Sequence, residues 1–487
     1  MRRIAARFPA FPHLLSVLQL RHSSTKLSPT VVHPIVPSYL KQANTLPWQF
    51  QRTMSSFHKE QRILIVGAGT FGLSTAYHLA RSGHYTNSNI TVLEKGEDIP
   101  APLCAGNDIN KIIRADYSEP FYVHLALSAI KEWSTNPIFS PHYRQVGYLL
   151  GNSGQAPEES RVYHAKALAS TRSHAAFTDG GVITEVSSRE DVKALAPAVA
   201  EGPGMDGFTG HLNRLAGYAY AADAIRDLHK AVVEMGVKVV KGDGVASLCY
   251  DTGHGPSARR CTGVKTESGK TYTADTTILT LGASLGTVLP DIGRQIVAKT
   301  WPIAHVQLTT EEAQKLKDIP VTFPRDLGFL FEPDRSTNLL KISHNSGGYT
   351  NYNEQGMSLP LKDNNFLPKQ DEEAVRNVLR AILPELADRP LVKCKMCWCA
   401  DTADSEYILD YVPGTQGLIV ATGDSGHAFK MLPVVGGWIK ELLERGEQRE
   451  ARWKWKEGLS AADADVKWRV GPVRDIKEIM SGATLVG

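Results

Sequence analysis

The sequence has only six cysteines in 487 residues, scattered and without the dense regular spacing of a disulfide framework. It has no repeat and no low-complexity tract, which excludes solenoids and fibrous chains. After the first 60 residues no stretch reaches 18 consecutive apolar residues, and the early run Ala10–Leu20 is short and broken by Pro12. A membrane-spanning helix is therefore not expected. The net charge of +3 is too small to argue for nucleic acid. Acidic residues are absent from residues 1–59, which carry eight Lys or Arg, leaving 46 basic against 51 acidic side chains in the rest. An Arg-rich, Ser-containing, acid-free leader reads as a mitochondrial transit peptide. A start-site artefact is the other reading, since Met54 stands just before the first expected strand, and the compartment would then be the cytoplasm. The terminal Leu485-Val486-Gly487 is not a peroxisomal tripeptide.

What is present is a large apolar fraction, 42%, enough for an extensive core and more than one domain. The run Ile63-Leu64-Ile65-Val66 has the continuous apolar character of a strand buried on both faces. It leads into Gly67-Ala68-Gly69-Thr70-Phe71-Gly72, an amphipathic helix over Leu73–Ser82, and a second strand Ile90–Leu93 ending in Glu94 and Lys95. This is the dinucleotide fingerprint in its full context. Gly67 permits the tight turn, Gly69 lets the backbone approach a pyrophosphate, and Gly72 allows close helix–strand packing. The helix N-terminus faces the anion, and Glu94 accepts ribose hydroxyls. The motif alone does not separate FAD from NAD.

Three later strand–turn units, Val237–Val240 leading towards Val245, Thr277–Leu281 before Gly282, and Leu418–Ala421 before Gly423, suggest strands returning to the same sheet. The expected architecture is α/β, a Rossmann-like nucleotide domain (60–130, 205–300 and 390–445) interleaved with an α+β substrate domain (131–204 and 301–389). Residues 1–59 form an N-terminal extension, and the charged, Trp-containing stretch 446–487 reads as a C-terminal surface extension.

Several segments together give a resemblance: Gly67–Gly72; Ala105-Gly106-Asn107-Asp108-Ile109-Asn110-Lys111-Ile112-Ile113-Arg114; Phe331-Glu332-Pro333-Asp334; Met396-Cys397-Trp398-Cys399-Ala400-Asp401-Thr402; and Ala421-Thr422-Gly423-Asp424-Ser425-Gly426-His427-Ala428-Phe429-Lys430. From about residue 60 to 445 the chain resembles the amine-oxidising flavoenzymes of D-amino-acid-oxidase type, namely monomeric sarcosine oxidase and the fungal fructosyl amino acid oxidases (amadoriases), with saccharopine and pipecolate oxidases as relatives. The resemblance implies FAD, a monomer, an amino acid substrate and dioxygen. It also implies a thioether from Cys397 to the flavin, the 33-residue step to Lys430 agreeing with the family pattern. Read from the residues alone, Cys397 is equally a small buried hydrophobe. Cys394, Cys397 and Cys399 lack the partners for a metal site, and none is expected.

By the same resemblance Lys341 is the oxygen activator and Lys111 the basic group over the flavin, while Arg114 and Lys430 clamp the substrate carboxylate. Asn107, Asp108, Asp424 and Gly426 are cofactor contacts. A fixed ammonium about 4–5 Å from nascent superoxide is worth roughly 4 kcal/mol at an effective dielectric near 20, or about 10²–10³ in rate. Arg suits a carboxylate because its planar fork donates two bonds at once. One departure stands out. Four residues beyond Lys341, sarcosine oxidase has His and amadoriases have Glu, whereas this chain has Asn345, with His344 one step out of register. A sugar-bearing substrate is thereby put in doubt, leaving saccharopine, pipecolate or an N-methyl amino acid open. The expected reaction is oxidation of a secondary-amine C–N bond to an imine with release of hydrogen peroxide. The alternatives are an oxidase whose imine closes a ring, a flavin amine dehydrogenase, and a flavin-binding module without turnover.

Overall fold

The computed structural model describes residues 59–251, 259–456, 469 and 471–480. The leader and Met54, and with them the transit-peptide and start-site readings, lie outside the described residues. Ile63–Val66, buried at every position, sits in the middle of a six-stranded sheet. From one edge the order is Ile408–Tyr411, Leu418–Thr422, Thr276–Leu279, Ile63–Val66, Ile90–Leu93 and Lys238–Val240, parallel except for the antiparallel first strand. The helix Thr70–Arg81 buries Leu73, Ala76, Tyr77, Leu79 and Ala80. Helix Val435–Arg445 lies against it, closely enough that a Cβ on Gly436 would stand 2.0 Å from the Ser74 carbonyl oxygen. Continuous burial of short apolar strands between helices is the signature of a doubly covered parallel sheet.

The second large element is a ten-stranded, mostly antiparallel sheet. Its spine is the twelve-residue strand Ile296–Gln307, paired on one side with Leu339–His344 and along most of its length with Leu391–Thr402. The sheet continues through Gly328–Leu330, Val321–Pro324, Tyr148–Asn152 and Thr209–Asn213 to Ile183–Val186. The helix Lys369–Ile382 covers it with Val375, Val378, Leu379 and Ile382. Thr209–Asn213 and Leu391–Thr402, in segments expected to lie with the nucleotide sheet, pair here instead. The small strand Asn110–Ile113, paired with Gly217–Tyr220, holds the segment from Asn107 to Arg114.

The C-terminal stretch departs from the surface reading. Trp453 is buried against Trp438 and Tyr407, and Ile476 is fully buried. Its described helices are a 3-10 turn at Ala451–Trp453 and the short α-helix Ile476–Met480. The charged residues that made this stretch look solvated alternate with apolar anchors, and those anchors decide its place.

Candidate active site

The glycine turn has the backbone that its sequence requires. Gly67 has φ +105°, in the region that favours glycine. A Cβ on Gly72 would stand 1.8 Å from the Gly67 carbonyl oxygen, whereas on Gly69 it would meet nothing nearer than the Cys104 sulfur at 3.5 Å. Gly72 therefore serves packing within the chain, and Gly69 leaves its backbone open. Thr70 and Phe71 open the helix, and the Glu94 carboxylate accepts the Ala68 and Gly96 N–H groups at 2.9 and 3.0 Å. Thr280, which the sequence reading missed, ties the turn to the neighbouring strand by donating to the Val66 and Gly67 carbonyls at 2.9 and 2.8 Å. Gly282 (φ +52°) has open space where its Cβ would be. Lys95 is exposed, and Val245 begins a strand of a separate four-stranded sheet. An open turn at a helix N-terminus with an acid on the adjacent strand fits the pyrophosphate and ribose of a dinucleotide.

Most of the other predicted residues, though not Asn107, Asp108 or Asp424, meet in one cavity of about 190 Å³, lined by Lys111, Arg114, Lys341, Asn345, Cys397, Cys399, Gly426 and Lys430 among others. Cys397 and Cys399 lie two apart on strand Leu391–Thr402 and therefore share a face. The Lys111 ammonium is 3.6 Å from the Cys397 sulfur. The Cys397 thiol is held well below its ordinary value, by a hydrogen bond from Cys399 first and by Lys111 after that, while the Cys399 thiol is pushed up. Lys341 is buried, donating to the Asp108 carboxylate and the Asn110 carbonyl at 2.7 Å each, and Lys111 reaches the same Asp108 oxygen at 2.9 Å. Burial pulls Lys341 down to about 8; Asp108 opposes the shift and Lys111 reinforces it.

Arg114 donates to the Asp116 carbonyl and stacks over the rings of Tyr117 and Tyr148. Lys430 donates to the Tyr117 hydroxyl at 2.9 Å and the His427 carbonyl at 2.8 Å, and burial, with Arg114 next, holds its pKa well below the ordinary value. Asp116, the carboxylate nearest Arg114 in sequence, is held by His211 at 2.8 Å and Asn213 at 3.0 Å. His427 is fixed among Tyr117, Tyr407 and the Ser405 carbonyl, and burial lowers it to about 3. Asp424 accepts the Ala400 N–H at 2.5 Å and is raised to about 6 by burial. His344, one step out of register, is bound to Asp371 at 2.6 Å. Asn345 donates to the Arg325 carbonyl at 2.7 Å. Asn107, with Asp108 and Lys395, lines a different cavity of about 630 Å³. Among the described residues no group of three or more His, Cys, Asp or Glu could hold a metal ion.

Sequence reasoning missed Tyr148, Tyr163, Arg325, Trp301 and Arg469 in the cavity wall.

The two parts the structure provides are a dinucleotide turn and a cavity lined by basic side chains. Comparison with known proteins agrees. The profile of the family described as FAD dependent oxidoreductase (DAO) matches residues 62–442, and the chain belongs to that family as an FAD-dependent amine or amino acid oxidase. The chain is 34% identical to L-saccharopine oxidase of Schizosaccharomyces pombe over 422 residues, covering 84% of this chain and 95% of that protein. It is 26% identical over 455 residues to amino acid oxidase imqH of Aspergillus flavus, covering 80% and 94%. The crystal structure of the fructosamine oxidase of Aspergillus fumigatus (Amadoriase II) matches with a TM-score of 0.75 at 33% identity, over 88% of this chain and 97% of that one.

Proposed function

We propose that this protein oxidises the C–N bond of an N-substituted amino acid, with FAD held covalently at Cys397. The observation that carries the reading is the convergence of two basic side chains, half-buried Arg114 and buried Lys430, on the cavity that Cys397 and Lys111 line. A carboxylate entering between them is bound by charge-assisted hydrogen bonds where water cannot screen them. FAD held there would supply the chemistry of hydride acceptance from the carbon beside the nitrogen and delivery of two electrons to dioxygen. The amine loses that hydride and its N–H proton to become an imine. Water hydrolyses the imine to a carbonyl compound and a primary amine, and dioxygen with two electrons and two protons leaves as hydrogen peroxide.

The chain supplies position and field. Arg114 and Lys430 orient the carboxylate, and the Asp116 carboxylate, held by His211 and Asn213, is kept from occupying Arg114 itself. Lys341 keeps a cation in the cavity wall for the oxygen half-reaction. Lys111, 3.6 Å from Cys397, favours the thiolate that a link to the flavin needs.

The test is acid precipitation of the purified protein alongside Cys397→Ser and Cys399→Ser, followed by a peroxide assay with N-substituted amino acids. Flavin should stay in the pellet for wild type and Cys399→Ser and leave with Cys397→Ser. Flavin that washes out of wild type refutes the link, and absence of peroxide with every such substrate refutes the oxidase reading.

A further inference from the structure

A single ion pair separates two cavities. The Lys341 ammonium lines the 190 Å³ cavity, while Asp108, which holds it at 2.7 Å, lines the 630 Å³ cavity. The two cavities have no lining residue in common. The larger one has exposed residues in its lining, among them Asp223, Arg226, Thr337 and Lys393, together with the buried Asp108 and His305. It therefore reaches from the surface to the carboxylate that fixes Lys341, on a path that does not cross the substrate cavity.

His305 marks the inner end of that path. On strand Ile296–Gln307 it is the antiparallel partner of Lys341, so the two side chains leave the sheet on the same face. The ring is 3% exposed. Its Nδ1 lies 3.2 Å from the Lys393 carbonyl oxygen, which can only accept, so Nδ1 carries the hydrogen and Nε2 presents a lone pair. That Nε2 is buried and has no hydrogen-bond partner among the described residues. Buried polar atoms are normally paired, so an orphaned acceptor in a residue of the cavity wall marks where a donor arrives. Burial lowers the ring to about 4; Asp108 opposes the shift, and Lys341 and Lys395 reinforce it.

Dioxygen must gain two protons with its two electrons to leave as hydrogen peroxide. One travels with the electrons, and the other has to be supplied. Two of the three Lys341 N–H groups donate to Asp108 and to the Asn110 carbonyl, which leaves one for the reaction. Once that proton has passed to hydroperoxide, a neutral amine remains, and the ammonium must be restored before the next turnover. We propose that the larger cavity is a proton inlet, in which His305 takes a proton from solvent at Nε2 and passes it to the Lys341 amine. The imidazolium N–H breaks as the ammonium N–H forms, His305 returns to its neutral state, and no electrons move. An imidazolium near 4 is a far stronger acid than an ammonium near 8, so this transfer runs downhill. The inlet rests on the oxidase reading above and assigns the residue that recharges its oxygen site.

The test uses holoenzyme reduced photochemically, so that it needs no substrate, and follows reoxidation by dioxygen in H2O and D2O by stopped flow. His305→Ala and His305→Gln should each slow reoxidation at least about tenfold and raise the solvent isotope effect above that of wild type. Imidazole added to His305→Ala should restore the rate, whereas pyrrole, equal in shape but without the acceptor nitrogen, should not. His305→Gln keeps most of the side-chain volume and carries the test if His305→Ala does not fold. Wild-type rates in the variants, slowing without a change in the isotope effect, or equal recovery with imidazole and pyrrole would overturn the inlet. Wild-type enzyme whose reduced flavin reacts with dioxygen no faster than free reduced flavin would reject the oxidase reading itself.

Discussion

Asp108 stands between two ammonium groups, and that arrangement governs what Lys341 can do. With Nζ 2.7 Å from the carboxylate, Lys341 is fixed in place, yet burial and Lys111 bring its pKa down to about 8. Its positive charge is therefore complete below that pH and is lost as pH rises through it. If Lys341 stabilises nascent superoxide, reoxidation of the reduced enzyme by dioxygen should fall across pH 7–9, about tenfold per pH unit once the group is deprotonated, while anaerobic reduction by substrate does not follow the same curve. Lys341→Met should lower the reoxidation rate by roughly 10²–10³ and flatten the profile. Asp108→Asn removes the stabilising carboxylate and should move the midpoint to lower pH. Stopped-flow measurement of the two half-reactions checks all three. A normal reoxidation rate in Lys341→Met would remove the residue from the oxygen chemistry.

The strand–turn–helix at residues 63–81 was legible because all of its determinants are local: a β-branched run, glycines at fixed offsets, and a helix with one buried face. The cavity wall was not. Tyr148, Phe329 and the Phe323–Arg325 segment come from three strands of the ten-stranded sheet, brought together by the parallel register of Tyr148–Asn152 with Val321–Pro324 and the antiparallel pairing of Gly328–Leu330 with the same strand. Nothing within ten residues of Arg325 indicates that its neighbours are Ser160 and Tyr163, more than 160 positions earlier. The long strand Leu391–Thr402 shows the same limit. Its cysteines stood out by resemblance, but pairing with Ile296–Gln307 is what turns Cys397 towards Lys111. The glycine turn permits a sharp contrast between two substitutions. Gly72→Ala places a methyl 1.8 Å from a backbone oxygen that cannot yield, so the helix and strand must part. The expected result is loss of soluble, folded protein. Gly69→Ala meets only Cys104 at ordinary contact distance, so the chain should fold, with a melting temperature within about 3 °C of wild-type apoprotein. Its flavin-to-protein ratio should nevertheless drop severalfold, because the added methyl occupies the backbone's approach to the pyrophosphate. Equal flavin content in Gly69→Ala and wild type would show that Gly69 faces no ligand.

Several histidines are folded into the interior as neutral rings, and together they make the molecule sensitive to acid. Burial lowers His164 and His305 to about 4 and His427 to about 3, against an unfolded value of 6.5. Between the folded and unfolded values the unfolded chain binds the extra protons, so stability is full above about pH 6.5 and is lost as pH falls towards 4. Each ring accounts for about 3 kcal/mol by pH 4. Asp424 runs the other way. Its pKa, raised from 3.8 to about 6 by burial, carries a stability cost that is full above pH 6 and returns about 2 kcal/mol on acidification to 4. Three groups against one leave a net loss of several kcal/mol, a large share of the ~5–15 kcal/mol that holds a domain folded. The melting temperature of the holoenzyme should therefore fall by roughly 10 °C between pH 6.5 and 4.5. His164 allows a clean dissection, since it sits on helix Glu158–Arg172 and touches the cavity only through His211 and Asp116. His164→Asn cannot take up the proton, so its melting curve should decline less steeply over the same interval even if it starts lower. A variant whose curve runs parallel to wild type would show that His164 is not among the groups that acid must charge.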